Sequence, residues 1–493
     1  MPSTFSGLYL SLRGMQAQQK SLETSAHNIA NANTPGFSRQ RGVMATTPPW
    51  PVPSLNSSNL VGQIGTGVDI VRMERLRDEY LDVQRRKELG TLQQWNIKQD
   101  TLEQVEVVFQ EPTENGLNSL MTQFWDSWQE LSQDPESSAV RTTVKETAAA
   151  LADALRHTSQ QMEDLKGDLD SIIEIKVLDI NSLASQISQL NDQIKVAKAA
   201  GFEPNDLYDR RDVLLDEVAE VIDFKTEDHG DGAISVMLYN EGAGDYASLL
   251  VDGVAGLANT LAVDAVSGMV EWDSYTSTEP AGNLPVAGDD LGVSDSGTQR
   301  TISSGELRGL FDSRDNLVQE YIDDLDTFAS ELIDEVNTIH QTGFGLDGIT
   351  TGLNFFTGTD ASDIVVNPVI DNDPTLIGSA STAAGVPGDG SKALELSNLR
   401  QDTTACGGAS SFDDFYRNLI SRLGVDTAES QRMVENQEAL VGQLEERRES
   451  ISGVSIDEEL AHMVEYQHAY QAAARFLSTM DGLLDTLINR MAW

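Results

Sequence analysis

The sequence predicts a mainly α-helical, elongated, multidomain chain with an inserted β domain and with its N- and C-terminal helices paired as a coiled coil. Three observations predict it. First, apolar residues recur at alternating three- and four-residue spacing at both ends: Phe5, Leu8, Leu12, Met15, Leu22, Ala26 and Ile29, then Ile456, Leu460, Met463, Tyr470, Ala474, Leu477, Leu484, Ile488 and Met491. Second, helical patterning fills residues 78–223 and returns after residue 301. Third, residues 224–300 between them carry short apolar runs separated by Gly, Asp and Ser, the pattern of a small β domain.

Each terminal seam needs a partner, and the simplest partner is the other seam. Gln19, Gln467 and Asp481 fill its polar slots. Ser3 or Thr4 is a good N-cap for the first helix, which runs to about Ala30. Asn31 and Asn33 tolerate left-handed geometry, and Pro35 cannot continue the ladder. Thr34-Pro35-Gly36-Phe37 has the type II turn preference, Pro second and Gly third. At the other end Ser452-Gly453 stops one helix, and Ser455 with Glu458 forms a capping box for the last. Residues 1–40 plus 452–493 are therefore one terminal coiled-coil domain.

Residues 41–77 read as an extended linker, with Pro48 to Pro53 near polyproline II and a short strand at Val68–Val71. The helical-bundle domain takes 78–223 plus 301–345 plus 406–451. Its longest helix, 136–200, has the seam Leu151, Leu155, Thr158, Met162, Leu165 and Leu169, then a stutter, then Ile180, Leu183, Ile187, Leu190 and Ile194. Helices are expected at 304–341, at Phe412–Leu423 and at 428–450. Residues 346–405, rich in Gly, Thr and Asp, read as a variable loop and β excursion with a strand at Ile364–Val366.

The net charge of −46 is unevenly placed, +3 over residues 1–100 and −49 over the remainder. So acidic a surface argues against nucleic acid and anionic membranes as partners. No apolar run approaches a bilayer span. The first helix has no contiguous apolar core, and Lys20 and Glu23 interrupt it, so a cleaved secretory signal is not expected. Cys406 is alone, which leaves no internal disulfide and no cysteine metal site.

No catalytic, cofactor-binding or metal-binding residues are assigned. His462 and His468 are too far apart in helical phase for a zinc pair. Asp371-Asn372-Asp373 lacks the glycine and closing glutamate of a calcium loop. Asp228-His229-Gly230-Asp231-Gly232 is a hairpin turn, and Gly65-Thr66-Gly67 lacks a phosphate-loop continuation.

One motif is specific. His27-Asn28-Ile29-Ala30-Asn31-Ala32-Asn33-Thr34-Pro35-Gly36-Phe37 resembles the N-terminal signature of the bacterial flagellar axial proteins: rod, hook and hook-associated protein 1. Ser452-Gly453-Val454-Ser455-Ile456-Asp457-Glu458-Glu459, Glu465-Tyr466-Gln467 and Gln471-Ala472-Ala473-Ala474-Arg475 resemble the C-terminal signature of the same families. Three interior stretches are similar to the hook-associated protein 1 family: Asn205 to Glu217, Gly305 to Asp315, and Val336-Asn337-Thr338-Ile339-His340 with Gly343-Phe344 and Phe355-Phe356. The resemblance covers nearly the whole chain and is thinnest over 230–300 and 360–405.

The resemblance implies a structural, non-enzymatic component of the flagellum that forms the junction ring between hook and filament. It implies partners: copies of itself, the hook protein, hook-associated protein 3, and a cytosolic export chaperone on the C-terminal helix. It also implies type III export without signal cleavage and no membrane insertion. Leu8, Leu12, Met15, Leu22, Ile29, Leu460, Met463, Tyr470, Leu477 and Leu484 would carry axial packing. Asn31, Asn33, Thr34, Pro35, Gly36 and Phe37 would fix the turn that aims the first helix. The rival readings are a secreted adhesin or effector on the same export route, another axial protein of the hook or rod families, and a cell-wall hydrolase on a flagellar scaffold. The last would need a carboxylate pair in a cleft or a Cys/His pair in 224–405; carboxylates are too plentiful there for a close pair to mean anything, Cys406 has no histidine within twenty residues, and the region is too poor in aromatics for a sugar groove.

Overall fold

The computed structural model describes residues 5–50, 64–109, 116–240, 245–265, 268–274, 293–294, 299–300, 302–403 and 410–490. Ser3, Thr4, Pro51 to Pro53, Cys406, Met491 and most of 275–298 lie outside the described residues. The first helix, α1 (Ser6–Ala30), leads into an antiparallel hairpin of β1 (Gln40–Thr46) and β2 (Val68–Arg75). Four helices follow: α2 (Glu79–Phe109), α3 (Leu117–Gln133), the 62-residue α4 (Ser138–Ala199) and α5 (Asn205–Val221). Residues 40–46 and 68–75, on either side of 51–63, which lie outside the described residues, thus pair as strands that supply each other's ladder hydrogen bonds.

The inserted β region begins with a four-stranded antiparallel sheet in sequential order, β3 (Lys225–Asp228), β4 (Ile234–Asn240), β5 (Asp245–Asp252) and β6 (Leu257–Ala258). Two separate antiparallel pairs follow, β7 (Thr260–Val263) with β8 (Val270–Ser274) and the short β9 (Val293–Ser294) with β10 (Gln299–Arg300). The alternation of Ile234, Val236 and Leu238 turns one face of the sheet onto α4, and these residues join the helical core.

Helix resumes with α6 (Glu306–Phe311), continues through a π-helical segment at Asp312–Val318, and becomes α7 (Gln319–His340). The π segment breaks the expected continuous α-helix. Within it Arg314 donates to Asp170 on α4 (2.7 Å) and to the carbonyl of Gly268 (2.9 Å), tying helix to hairpin. The two-stranded pair β11 (Phe356–Thr357) and β12 (Val365–Val366) is followed by α8 (Pro368–Asn372) and α9 (Ser391–Asn398). The long α10 (Phe412–Ser452) and α11 (Ile456–Asp485) complete the chain.

Two further expectations are corrected here. Residues 346–403 are not a loose loop and β excursion. Phe355, Phe356, Ile364, Ile370, Leu396 and Leu399 are buried in the same core as α3, α4 and α7. The Gly- and Asp-rich composition reflects turns between these anchors rather than freedom from the core. Phe412–Leu423 and 428–450 are one helix, because Gly424 is tolerated inside a long helix at a cost of ~1 kcal/mol.

The core centres on Phe124, Trp125 and Trp128 of α3, packed against α4, α7, Phe355, Phe356 and Phe412. On α4 the seam after the stutter passes through buried Asn191 rather than the half-buried Leu190. Asn191 is satisfied there: its Oδ1 accepts from Arg211 (3.0 Å), and its Nδ2 donates to the Ile234 carbonyl (2.8 Å).

Candidate assembly surface and its joint

The helices α1 and α11 pair antiparallel, with Gly7 against Met480 and Gly14 against Ala473. The face that α1 buries is not its leucine seam. It is the neighbouring small-residue face, with Ser11, Ala17, Ser21, Thr24, Ser25 and Asn28 buried. Small side chains let the backbones approach closely. Their hydroxyls ask nothing of α11, because Ser11, Ser21 and Thr24 donate to the carbonyls of Gly7, Ala17 and Lys20 on their own helix.

The leucine seam of α1, about 100° away for each residue of offset, is left partly open. Leu8, Met15, Leu22 and Ile29 are half-buried, and Leu12 is 44% exposed. On α11, Met463, Tyr470, Leu477 and Leu484 are half-buried, while Leu460 is 48% exposed. Tyr9, Val464, Phe476 and Leu483 are also exposed. Phe5, Leu8, Tyr9, Leu12 and Leu477 line a groove of about 430 Å³ at the free end of the pair. The heptad reading found the pair and missed the small-residue seam, because hydrophobicity scales give Gly, Ser and Ala little weight.

At the other end of α1 the chain turns sharply. Asn31 ends the helix with φ −104°, not left-handed, and its Nδ2 donates to the His27 carbonyl (3.0 Å). The Phe37 amide donates to the Thr34 carbonyl (3.2 Å), and Gly36 has φ +75°, as a type II turn requires. A Cβ on Gly36 would lie 2.1 Å from Cγ2 of Val213 on α5, so this glycine also permits the docking. Phe37 packs edge-on to His27, while Asn33 and Pro35 stay exposed. Asn28 was not singled out from the sequence, yet it does more than Asn33. Its amide exchanges two hydrogen bonds with the backbone of Gln40 (2.9 and 3.0 Å), acting as a strand partner.

The turn rests on α5, which is the hub of the molecule. The Ser38 amide donates to Asp209 (3.1 Å), and Gln40 donates to Asp206 (2.8 Å). Arg75 of β2 reaches both Asp209 (2.9 Å) and Asp212 (2.8 Å), and Arg77 reaches Asp212 (3.1 Å). Arg85 and Arg86 of α2 and Arg448 of α10 converge on Asp216 at 2.9, 2.6 and 3.2 Å. Asp212 is held below the usual carboxylate range: burial pushes it up, but Arg77, Arg75 and Arg86 outweigh that. The opposite face of α5 carries Arg211, buried, donating to Asn191 and to the Gly232 carbonyl (2.6 Å) of the β3–β4 turn. Burial holds its guanidinium below the ordinary arginine value.

This network explains the uneven charge. The cations of the first hundred residues, Arg39, Arg75, Arg77, Arg85 and Arg86, are taken up by acids of the chain itself. Asp209, Asp212 and Asp216 recur at three- and four-residue spacing on one helix face, where they would repel without partners. That spacing was the available signal for the joint.

Among the described residues no group of three or more His, Cys, Asp or Glu side chains is placed to hold a metal, and no helix is long and apolar enough to cross a membrane. Asp371 faces Lys145 (3.2 Å).

Residues 8–37 match the family model for the flagella basal body rod protein. Residues 447–491 match the C-terminal model of the flagellar basal body rod FlgEFG proteins. Those two segments carry the paired terminal helices and the turn that follows α1, and they define the class: an axial protein of the bacterial flagellum. Residues 102–356 match the helical domain of flagellar hook-associated protein FlgK. The flagellar hook-associated protein 1 of Bacillus subtilis (strain 168) is 33% identical over 516 aligned residues, covering 100% of this chain and 99% of that protein. The protein of the same name from Escherichia coli (strain K12) is 26% identical over 97% of this chain and 98% of that one. The chain belongs to the flagellar hook-associated protein 1 (FlgK) family, and its role is structural, at the flagellar hook junction. The fold agrees with that of the flagellar hook junction protein FlgK from Burkholderia pseudomallei, with a TM-score of 0.61 at 15% identity, covering 75% of this chain and all of that one.

Proposed function

We propose that this chain forms the ring of subunits between hook and filament and permits the filament to assemble. The observation that carries the reading is the apolar stripe left open on the α1–α11 pair, with Leu12, Leu460, Tyr9, Val464 and Phe476 exposed. A monomer gains little by exposing such a stripe along a helix pair, whereas a neighbouring copy would bury it. In this reading Leu8, Leu12, Met15, Leu22, Ile29, Leu460, Met463, Tyr470, Leu477 and Leu484 carry axial packing between copies. Asn31, Asn33, Thr34, Pro35, Gly36 and Phe37 set the angle of α1 against the body. Residues 1–40 plus 452–493 act as the axial unit, 78–223 with 301–345 and 406–451 as the helical body, and 224–300 as the outer domain.

The flanking partners are the hook protein and hook-associated protein 3. Before assembly a cytosolic chaperone holds the C-terminal helix and covers Leu460, Met463, Tyr470 and Leu477, and the chain leaves by the flagellar export route without signal cleavage. The test is a strain lacking the protein, complemented with truncations of residues 1–40 or 456–493. Hooks without filaments are expected from either truncation, and normal motility from either would overturn the proposal.

A further inference from the structure

Residues 341–380 leave the end of α7 and return across α4, and a few side chains pin their backbone to the helical body. Asn337 accepts from the amides of Phe355 (2.7 Å) and Phe356 (3.0 Å) and donates to the Phe356 carbonyl (3.0 Å). One turn later His340, 2% exposed, engages both ring nitrogens. Nδ1 lies 2.8 Å from the Leu353 carbonyl, and Nε2 lies 2.9 Å from the Gly378 amide nitrogen. A carbonyl can only accept and an amide N–H can only donate. The partners therefore fix one neutral tautomer, with the proton on Nδ1 and the lone pair on Nε2.

The segment 374–380 is gripped a second time from α4. Buried Arg141 donates to the carbonyl of Ile377 (2.6 Å), to Ser379 Oγ (2.7 Å) and to the Pro135 carbonyl (2.7 Å). These acceptors are all neutral. Gly343 and Gly378 pass backbone to backbone, so that a Cβ on Gly343 would lie 2.7 Å from the Gly378 carbonyl oxygen. The strap is therefore held by these two side chains, by close backbone contact and by the Lys392 amide, which donates to the Ser379 carbonyl (3.0 Å), with Ile377 and Ala380 its fully buried apolar residues.

We propose that His340 is an acid-operated latch, whose protonation releases the 374–380 strap from the helical body, while Phe355, Phe356, Ile364 and Ile370 keep the rest of the 341–380 lobe in the core. An imidazolium would point a second N–H at the Gly378 amide, replacing a hydrogen bond with two opposed donors. It would also set a second positive charge near Arg141. Around the ring, α3 presents Trp128, the lobe presents Phe355, α7 presents Asn337 and α4 presents Arg141, which is the charged member of the set. Burial, against the favourable Leu353 carbonyl and together with Arg141, lowers the imidazole from 6.5 to about 4. The sign follows. Unfolded or released chain takes up the proton first, so the latch is fully closed above 6.5 and weakens as pH falls to about 4, below which the loss levels off.

The test is hydrogen exchange on the full-length chain, followed by mass spectrometry in peptides spanning 374–380 and corrected for intrinsic exchange, from pH 6.5 down to pH 4. The opening constant of the strap should rise on the order of a hundredfold, while peptides from the cores of α3 and α4 stay protected. In His340→Gln, neutral at every pH, the strap's pH dependence should vanish. Where that variant fails to fold, ring titration of the wild-type histidine by NMR decides the matter. His340 should titrate far below 6.5 and in step with strap opening. A strap with flat exchange across the interval, or His340 titrating near 6.5 with the strap closed, overturns the proposal.

Discussion

Arg39 Nε donates to Glu459 Oε1 at 2.7 Å, joining positions 420 residues apart in the sequence. Glu459 is 2% exposed, at the start of α11, and Arg39 lies just past the turn that ends α1. The same guanidinium reaches Glu458 (3.0 Å), and the Arg39 amide donates to the Ser452 carbonyl (2.9 Å). The expected capping box is thus half used. Ser455 Oγ accepts from the Glu458 amide, but the Glu458 carboxylate turns to Arg39. One side chain sets the register between the two ends of the chain.

Arg39→Ala strands a buried carboxylate and should cost about 3 kcal/mol, read as a lower denaturation midpoint and faster amide exchange at the start of α11. Adding Glu459→Gln should recover part of the loss, because the stranded charge is then gone. A double variant as unstable as Arg39→Ala would remove the clasp from the account.

Gly36→Ala should misdirect α1, because it meets both a positive φ and Val213 Cγ2. The expected cost is ~1–3 kcal/mol with loss of the Ser38–Asp209 contact. Val213→Ala in the same chain should relieve the clash and leave only the backbone strain. Calorimetry of the single and double variants separates the two terms.

Acid should loosen the joint later than the 374–380 strap. The carboxylate of Asp212 is depressed below its ordinary 3.8, so its contribution is present in full above 3.8 and is lost as pH falls through the lower folded value. Exchange in α5 and at the start of α2 should therefore stay slow at pH values where the 374–380 strap has already opened. Simultaneous opening of both regions would contradict the two separate causes.

The body and the axial stripe should respond oppositely to substitution. Trp128→Ala removes a fully buried ring from the aromatic core and should cost ~3–5 kcal/mol, visible in thermal unfolding. Leu12→Ser, on a half-open face, should change monomer stability by less than about 1 kcal/mol yet weaken association measured by sedimentation.

The helices of the body were legible because their seams are long and strongly apolar: Leu151 to Leu169 on α4 and Leu325 to Val336 on α7 are buried as the spacing predicts. The turn at Thr34 to Phe37 was legible because proline and glycine each admit few backbone states. What was not legible depended on partners distant in sequence. Ser21 and Ser25 look like surface residues until α11 lies against them, and Arg75 and Asp212 look like ordinary solvated charges until β2 meets α5. The 346–403 region misled for the same reason, since Phe355-Phe356 and Val369-Ile370 are short apolar pairs in a stretch rich in Gly, Thr and Asp, and the core that buries Phe355 and Ile370 comes from distant helices.

The most direct test of the central claim is to place Leu12→Asp with Leu460→Asp in a strain lacking this protein and to examine its hooks by negative-stain microscopy. The variant chain should be exported with its helical body intact and leave hooks bare of filament, because the charges sit on the stripe meant for neighbouring copies. Full-length filaments on those hooks would show that the open stripe of the terminal pair plays no part in assembly.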